Sequence, residues 1–204
     1  MAARDEEIPS LPLHTRRRVL GYLVPLVSFP ILIWKAYSIS LILSQPSPQL
    51  SGLELLNDLV TVSFSLVLLF LIPNHSPLYT NHYWLTPKGL KINRPLKGTK
   101  ILPYDTINRL ELYIRDERRG KPSKEALQYA RDQVNKRRKD GFKFIDYTNN
   151  ETKIALVHIG EKIYMITPAN PKAFAHKMGK RIRRLSVKTV TLTPKGTRVK
   201  DGAP

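Results

Sequence analysis

Between Arg18 and Lys88 the chain carries one basic residue, Lys35, within two long apolar stretches, while the rest is so basic that the formal net charge is +18. That division predicts a two-pass membrane protein holding a positive domain against one face of a bilayer. Residues 19–43 are a run of roughly 25 mostly apolar positions, long enough at ~1.5 Å per residue to cross a ~30 Å hydrocarbon layer with some tilt. Residues 53–72, reading LELLNDLVTVSFSLVLLFLI, form a second run whose only charges, Glu54 and Asp58, lie near the end facing the intervening loop. A cleavable signal peptide has a shorter apolar core and a small-residue cleavage site, whereas the first run leads through a polar turn, residues 44–52, into the second. The expectation is an N-terminal segment, residues 1–18, followed by a retained transmembrane hairpin over residues 19–73.

Lys and Arg near the ends of a span resist translocation, which sets orientation. Arg16, Arg17 and Arg18 precede the first run, the turn has none, and Lys88, Lys91, Arg94, Lys97 and Lys100 follow the second. Both termini are therefore expected on the cytoplasmic side of the cell membrane. Lys35 lies in the outer part of its span and Asp58 in the outer turns of the other, so snorkelling or an intramembrane Lys35–Asp58 pair is expected rather than transport. One lysine and no broken-helix repeat make a poor transporter. Pro25 and Pro30 each remove an intrahelical hydrogen bond and predict a bend.

About 130 residues follow the hairpin, enough for one small domain with its own core. Cysteine is absent, which excludes disulfides and thiolate metal sites. From His82 onward short β-rich runs alternate with turn signals. Strands are expected at 82–86 and 90–94 around Pro87-Lys88-Gly89, then at 100–103, 107–114, 141–147, 153–159 and 162–167, the last two joined by Gly160-Glu161. Asn170 as N-cap and Pro171 as first helical residue then start a helix, with Phe174, Met178, Ile182 and Leu185 on one stripe.

The order of these elements resembles the prokaryotic pleckstrin-homology-like domains, which often follow a pair of membrane spans. The resemblance covers residues 80–185. It rests on Tyr83-Trp84-Leu85-Thr86 with Gly89-Leu90-Lys91-Ile92, on the approach from Ile101 to Ile107, on Arg138-Lys139-Asp140-Gly141-Phe142, and on Ile163 to Phe174 around Thr167-Pro168-Ala169-Asn170-Pro171. Thr167 and Asn170 stand where serine and aspartate are usual, both conservative for capping. What the resemblance implies is a membrane helical hairpin plus an α+β domain, a seven-stranded antiparallel barrel with a C-terminal helix, that binds or scaffolds without catalytic residues. Eukaryotic relatives grip phosphoinositides through basic residues near the first hairpin, ground that Lys88, Lys91 and Arg94 occupy here.

An insertion, residues 115–140, holds a helix capped by Ser123 with Leu127, Ala130 and Val134 on a narrow stripe and Lys136, Arg137 and Arg138 at its C-terminal end, where the helix dipole favours cations. A lightly packed surface helix and a basic arm facing phosphates are both open readings. The tail, residues 186–204, repeats Leu85-Thr86-Pro87-Lys88-Gly89 as Leu192-Thr193-Pro194-Lys195-Gly196, which points to two similar hairpin turns. No acidic residue occurs from Lys162 to Lys200, a segment containing Lys177, Lys180, Arg181, Arg183 and Arg184. Anionic lipid headgroups are the expected partner, or a partner protein. The alternative is a membrane tether for RNA or ribosomes, which lacks an RNA-reading signature here. Strand edges allow self-association. No nucleophile elbow, phosphate loop, paired carboxylates or metal-ligand spacing is present, so neither an enzyme nor a cofactor is expected, and the five histidines, His14, His75, His82, His158 and His176, read as surface or packing residues.

Overall fold

The computed structural model describes residues 5–44, 52–75, 79–95, 98–116 and 120–202. Most of the expected turn at 44–52, Lys97 and residues 117–119 lie outside that set. The chain divides into two units, Thr15–Tyr79 and a second built from Met1–His14 with Thr80–Pro204.

The first unit is a pair of helices, α1 (Thr15–Leu43) and α2 (Leu53–His75), packed side by side. Gly21 and Ser28 of α1 and Leu55, Asp58 and Ser65 of α2 are buried, the small-residue contact that lets two apolar helices approach closely. The bulky side chains point the other way: Tyr22, Leu26, Trp34 and Phe70 are each exposed by about two thirds or more. Both helices are long and apolar enough to cross a membrane. Pro25 and Pro30 lie inside α1.

In the second unit, β1 (Glu6–Ile8), β2 (His82–Leu85), β3 (Gly89–Arg94) and β4 (Gly98–Pro103) form an antiparallel sheet in that order. After a 3-10 turn, Tyr104–Thr106, come β5 (Arg109–Arg115), α3 (Lys124–Lys139), β6 (Lys143–Asp146), β7 (Lys153–Ile159), β8 (Lys162–Ile166), α4 (Pro171–Arg181), β9 (Ser186–Thr193) and β10 (Gly196–Gly202). The six strands among these make a second sheet in the order β10-β9-β5-β7-β8-β6. The repeated pentapeptide makes the same turn twice: Thr86 Oγ1 donates to the Gly89 carbonyl at 2.8 Å and Thr193 Oγ1 to the Gly196 carbonyl at 2.9 Å. At Gly89 a Cβ would collide with the Leu102 carbonyl oxygen of β4, so only glycine fits.

The seven-stranded antiparallel barrel is therefore corrected: the strands form two sheets of four and six, and among the described residues no barrel closes. Two pairings account for the difference. Strand β9 lies parallel to β5, Leu110 opposite Val187 and Leu112 opposite Thr189, which puts residues read as a tail into the middle of a sheet. Strand β6 pairs in parallel with β8, and so sits at the edge instead of neighbouring β7. Val187 is buried on one face of β9 and Val190 and Leu192 on the other, so this strand is apolar on both sides and requires cover on both.

That cover defines three layers. Leu110, Leu112, Ala155, Val157, Tyr164 and Ile166 of the six-stranded sheet pack with Tyr83, Leu85, Leu90 and Ile92 of the four-stranded one and with Phe174 and Met178 of α4. The opposite face, with Tyr113, Leu156, Ile163, Val190 and Leu192, packs beneath Ala126, Leu127 and Ala130 of α3. Ser123 caps α3 by accepting from Ala126 N at 3.1 Å, and Asn170 caps α4 by accepting from Ala173 N at 3.2 Å.

Candidate functional site

The sequence nominated eleven cations as an anion-binding surface, and the fold sorts them into those already engaged and those left over. Strand β1 does much of the engaging. Glu6 lies 2.8 Å from Lys177 Nζ and 3.1 Å from Arg181 Nη2, and Asp5 lies 3.6 Å from Lys91 Nζ, which also sits over the Trp84 ring. The hydrogen bond from Lys177 is the main reason the Glu6 carboxyl is held below the usual range. Arg181 further donates to the Thr86 carbonyl at 3.1 Å and to Tyr104 Oη at 3.3 Å, fastening the end of α4 to the β2–β3 turn.

Two more nominated cations are structural. Arg94 is buried, donating to the Asp146 carbonyl at 3.2 Å beside the Tyr147 ring. Arg137 turns inward from α3 onto Glu111 of β5, whose side chain is fully buried. Arg109 Nε approaches the same carboxylate at 2.7 Å, and Arg137 Nη1 is 3.0 Å from His158 Nε2. A guanidinium only donates, so His158 accepts at Nε2 and is the neutral imidazole with its proton on Nδ1. Burial is the first cause that lowers the His158 pKa to about 4, with Arg137 and Arg109 adding to it. Glu111, 3.6 Å away, pulls the other way but already serves two guanidiniums. Burial raises the Tyr113 phenol, whose Oη is 3.4 Å from Glu111.

Left over are Lys88, Lys136, Arg138, Lys180, Arg183 and Arg184, all exposed. Among the described residues none of the six has a carboxylate within ion-pair distance. Lys88 in the β2–β3 turn and Lys180, Arg183 and Arg184 at the end of α4 share the region that Arg181 joins. Lys136 and Arg138 belong to α3, on the other side of the six-stranded sheet.

In the hairpin, Lys35 Nζ donates to Asp58 Oδ1 at 2.6 Å and Ser38 Oγ to Oδ2 at 2.5 Å. A second polar knot lies in the sheet domain where both chain segments leading to the hairpin converge. Asn149, fully buried, donates from Nδ2 to the Leu11 and Asn81 carbonyls at 3.0 Å each and accepts from Asn81 N at 2.8 Å, while its carbonyl accepts from His14 N at 2.8 Å. Tyr83 Oη donates to the Tyr147 carbonyl at 2.6 Å, and burial pushes its pKa up to about 12. Among the described residues no group of three His, Cys, Asp or Glu side chains is placed to hold a metal ion.

Comparison with protein-family models, curated proteins and solved structures finds no match to this chain. Nothing there bears on the pleckstrin-homology resemblance, and the site stands on its own geometry. Glu6, Glu111 and Asn149 were missed as organisers. The acidic run Asp5-Glu6-Glu7 directly before Ile8, in an otherwise cationic chain, was the available signal for Glu6. Glu111 had only Arg109 nearby in sequence, while Arg137 and His158 lie far along the chain, and the partners of Asn149 are remote as well.

Proposed function

We propose that this chain is a two-span membrane protein, both termini cytoplasmic, whose sheet domain lays a cationic end on anionic lipid headgroups and so serves as a membrane-held binding module. The supporting observation is the sorting of its cations: Glu6 pairs with Lys177 and Arg181, while Lys88, Lys180, Arg183 and Arg184 stay exposed around the β2–β3 turn and the end of α4. Each cation near an anionic surface contributes roughly 1 kcal/mol, and the hairpin supplies a high effective concentration, so four weak contacts suffice. The apolar side chains facing outward from α1 and α2 support the anchor, because a helix pair of a soluble core would bury them.

The test uses the full chain in nanodiscs of phosphatidylcholine with or without phosphatidylserine, read by hydrogen exchange over residues 86–90 and 178–186. Phosphatidylserine is expected to slow exchange there at least several-fold, and the K180E/R183E/R184E variant is expected to lose the effect. Equal exchange in both discs overturns the reading. Protection by added RNA in neutral discs, with none by phosphatidylserine, supports the tether for RNA instead. Protease added outside sealed cells should spare residues 80–204; their digestion refutes the orientation.

A further inference from the structure

Helix α3 is seated on the six-stranded sheet most firmly at its two ends, and only small side chains meet the sheet along its middle. Ala126 in its first turn is fully buried, and Arg137 in its last turn is anchored on Glu111. Between them the residues facing the sheet include Ala130 and Val134, too small to fill the space, and a groove of ≈ 420 Å³ remains, open along one side. Its floor is Tyr113 of β5, Ile154 and Leu156 of β7, Met165 of β8 and Leu192 of β9, apolar side chains from four adjacent strands. Its rim carries three guanidiniums, Arg115, Arg131 and Arg138, against one carboxylate, Glu151. Arg115 lies 3.7 Å from Glu151 and Arg138 is over the Phe144 ring; Arg131 is exposed and, among the described residues, has no ion-pair partner.

We propose that this groove binds a single-chain anionic amphiphile, its alkyl tail along the sheet floor and its carboxylate or phosphate on Arg131 and Arg138. The volume falls within the ~300–1,000 Å³ typical of small-molecule sites. Apolar walls favour any hydrophobe in proportion to the alkyl surface buried. The rim selects among hydrophobes, because guanidinium binds a carboxylate or phosphate with two parallel charge-assisted hydrogen bonds and gains much less from an uncharged head. The narrow Leu127, Ala130 and Val134 stripe then has a reason: wider side chains would close the groove. This site lies on the opposite face of the sheet from the end of α4 and does not depend on headgroup contact there.

The experiment uses the full chain in phosphatidylcholine nanodiscs, a diazirine-bearing long-chain fatty acid and its methyl ester as probes, and mass spectrometry to map the cross-links. The acid is expected to label residues 124–139 and 153–166 several-fold more than the ester does. Ala130→Trp, which fills the groove, should abolish labelling there. R131Q/R138Q changes only exposed side chains and should bring the acid down to the level of the ester. Inorganic phosphate in millimolar excess should not compete, since it has no tail; competition would overturn the proposal in favour of a plain anion site. Equal labelling by acid and ester, or labelling of the groove unchanged in R131Q/R138Q, overturns it even where Ala130→Trp fails to fold. K180E/R183E/R184E should label as the parent does, which separates this outcome from the fate of the proposed headgroup contact.

Discussion

Asp58 in the helical hairpin and Glu111 in the six-stranded sheet are both acids removed from solvent, with side chains 5% and 0% exposed. They are satisfied in opposite ways. Asp58 takes one ammonium and one hydroxyl, Lys35 and Ser38, both from α1 and one turn apart. Glu111 takes Arg137 from α3 and Arg109 from its own strand, with Tyr113 and with His158 of β7 close by, so it ties a helix to two strands. Lys35 keeps 21% of its side chain exposed on a flexible stem, whereas Arg137 keeps 14% and ends in a rigid planar fork. A buried acid met by a movable partner from one neighbouring helix is a local contact; one met by a largely buried guanidinium from a helix above the sheet is a joint between layers.

The largest effect should follow from breaking that joint. Glu111→Ala leaves the Arg137 guanidinium buried without its acid, a situation that costs about 3–5 kcal/mol. Denaturant melts of the sheet domain within the full chain should show that loss, with hydrogen exchange in α3 rising before the rest. Glu111→Gln retains an acceptor and should lose less. If both variants melt as the parent does, the joint is not holding α3.

A smaller effect is expected at Asp58. Asp58→Ala removes a contact between apolar helices, where such polar interactions are worth about 0.6–2 kcal/mol, and Lys35 can reach toward the interface once released. Adding Lys35→Leu should then restore part of the loss in a detergent unfolding titration. A drop in the single variant as large as at Glu111 would erase the contrast between the two acids.

The same contrast marks what the sequence revealed. Lys35 and Asp58 were legible because charges are scarce in their apolar runs, Lys35 alone in the first and Asp58 with Glu54 in the second, and a hairpin brings the two runs together. Turns and caps were legible too, since Pro87-Lys88-Gly89, Ser123 and Asn170-Pro171 act over a few residues. Glu111 was not. The segment INRLELYI alternates, which places Arg109 and Glu111 on one face, and alternation cannot tell a face in water from a face beneath α3. Strand β1 has three residues and becomes a strand only by pairing with β2, and the β5–β9 ladder joins residues far apart in the chain by a parallel pairing that leaves no local mark. The barrel failed for that reason: strand order along the chain was right in outline, while the partner of each strand was a nonlocal property.

The smallest effect concerns pH and tests whether the Glu111 joint is a fixed or a titrating one. His158 has a pKa near 4 in the folded protein against 6.5 for the ordinary imidazole. Between those values the unfolded chain binds more protons than the folded one, so stability rises with pH across the window and is lost as pH falls from about 6.5 towards 4. The His158 side chain is 8% exposed, and the contribution over this window is on the order of 1 kcal/mol. His158→Gln keeps an acceptor for Arg137 but cannot protonate, so its melting temperature should vary less over this window than that of the parent. Glu6 contributes an acid limb of its own at lower pH: its lowered pKa means that stability present at neutral pH is lost as pH falls below about 4.5. Glu6→Gln should flatten that lower limb and leave the His158 window alone. An identical slope in the parent and in His158→Gln between pH 6.5 and 4 would mean that the imidazole reaches water, and that the joint between α3 and the sheet is looser than its geometry.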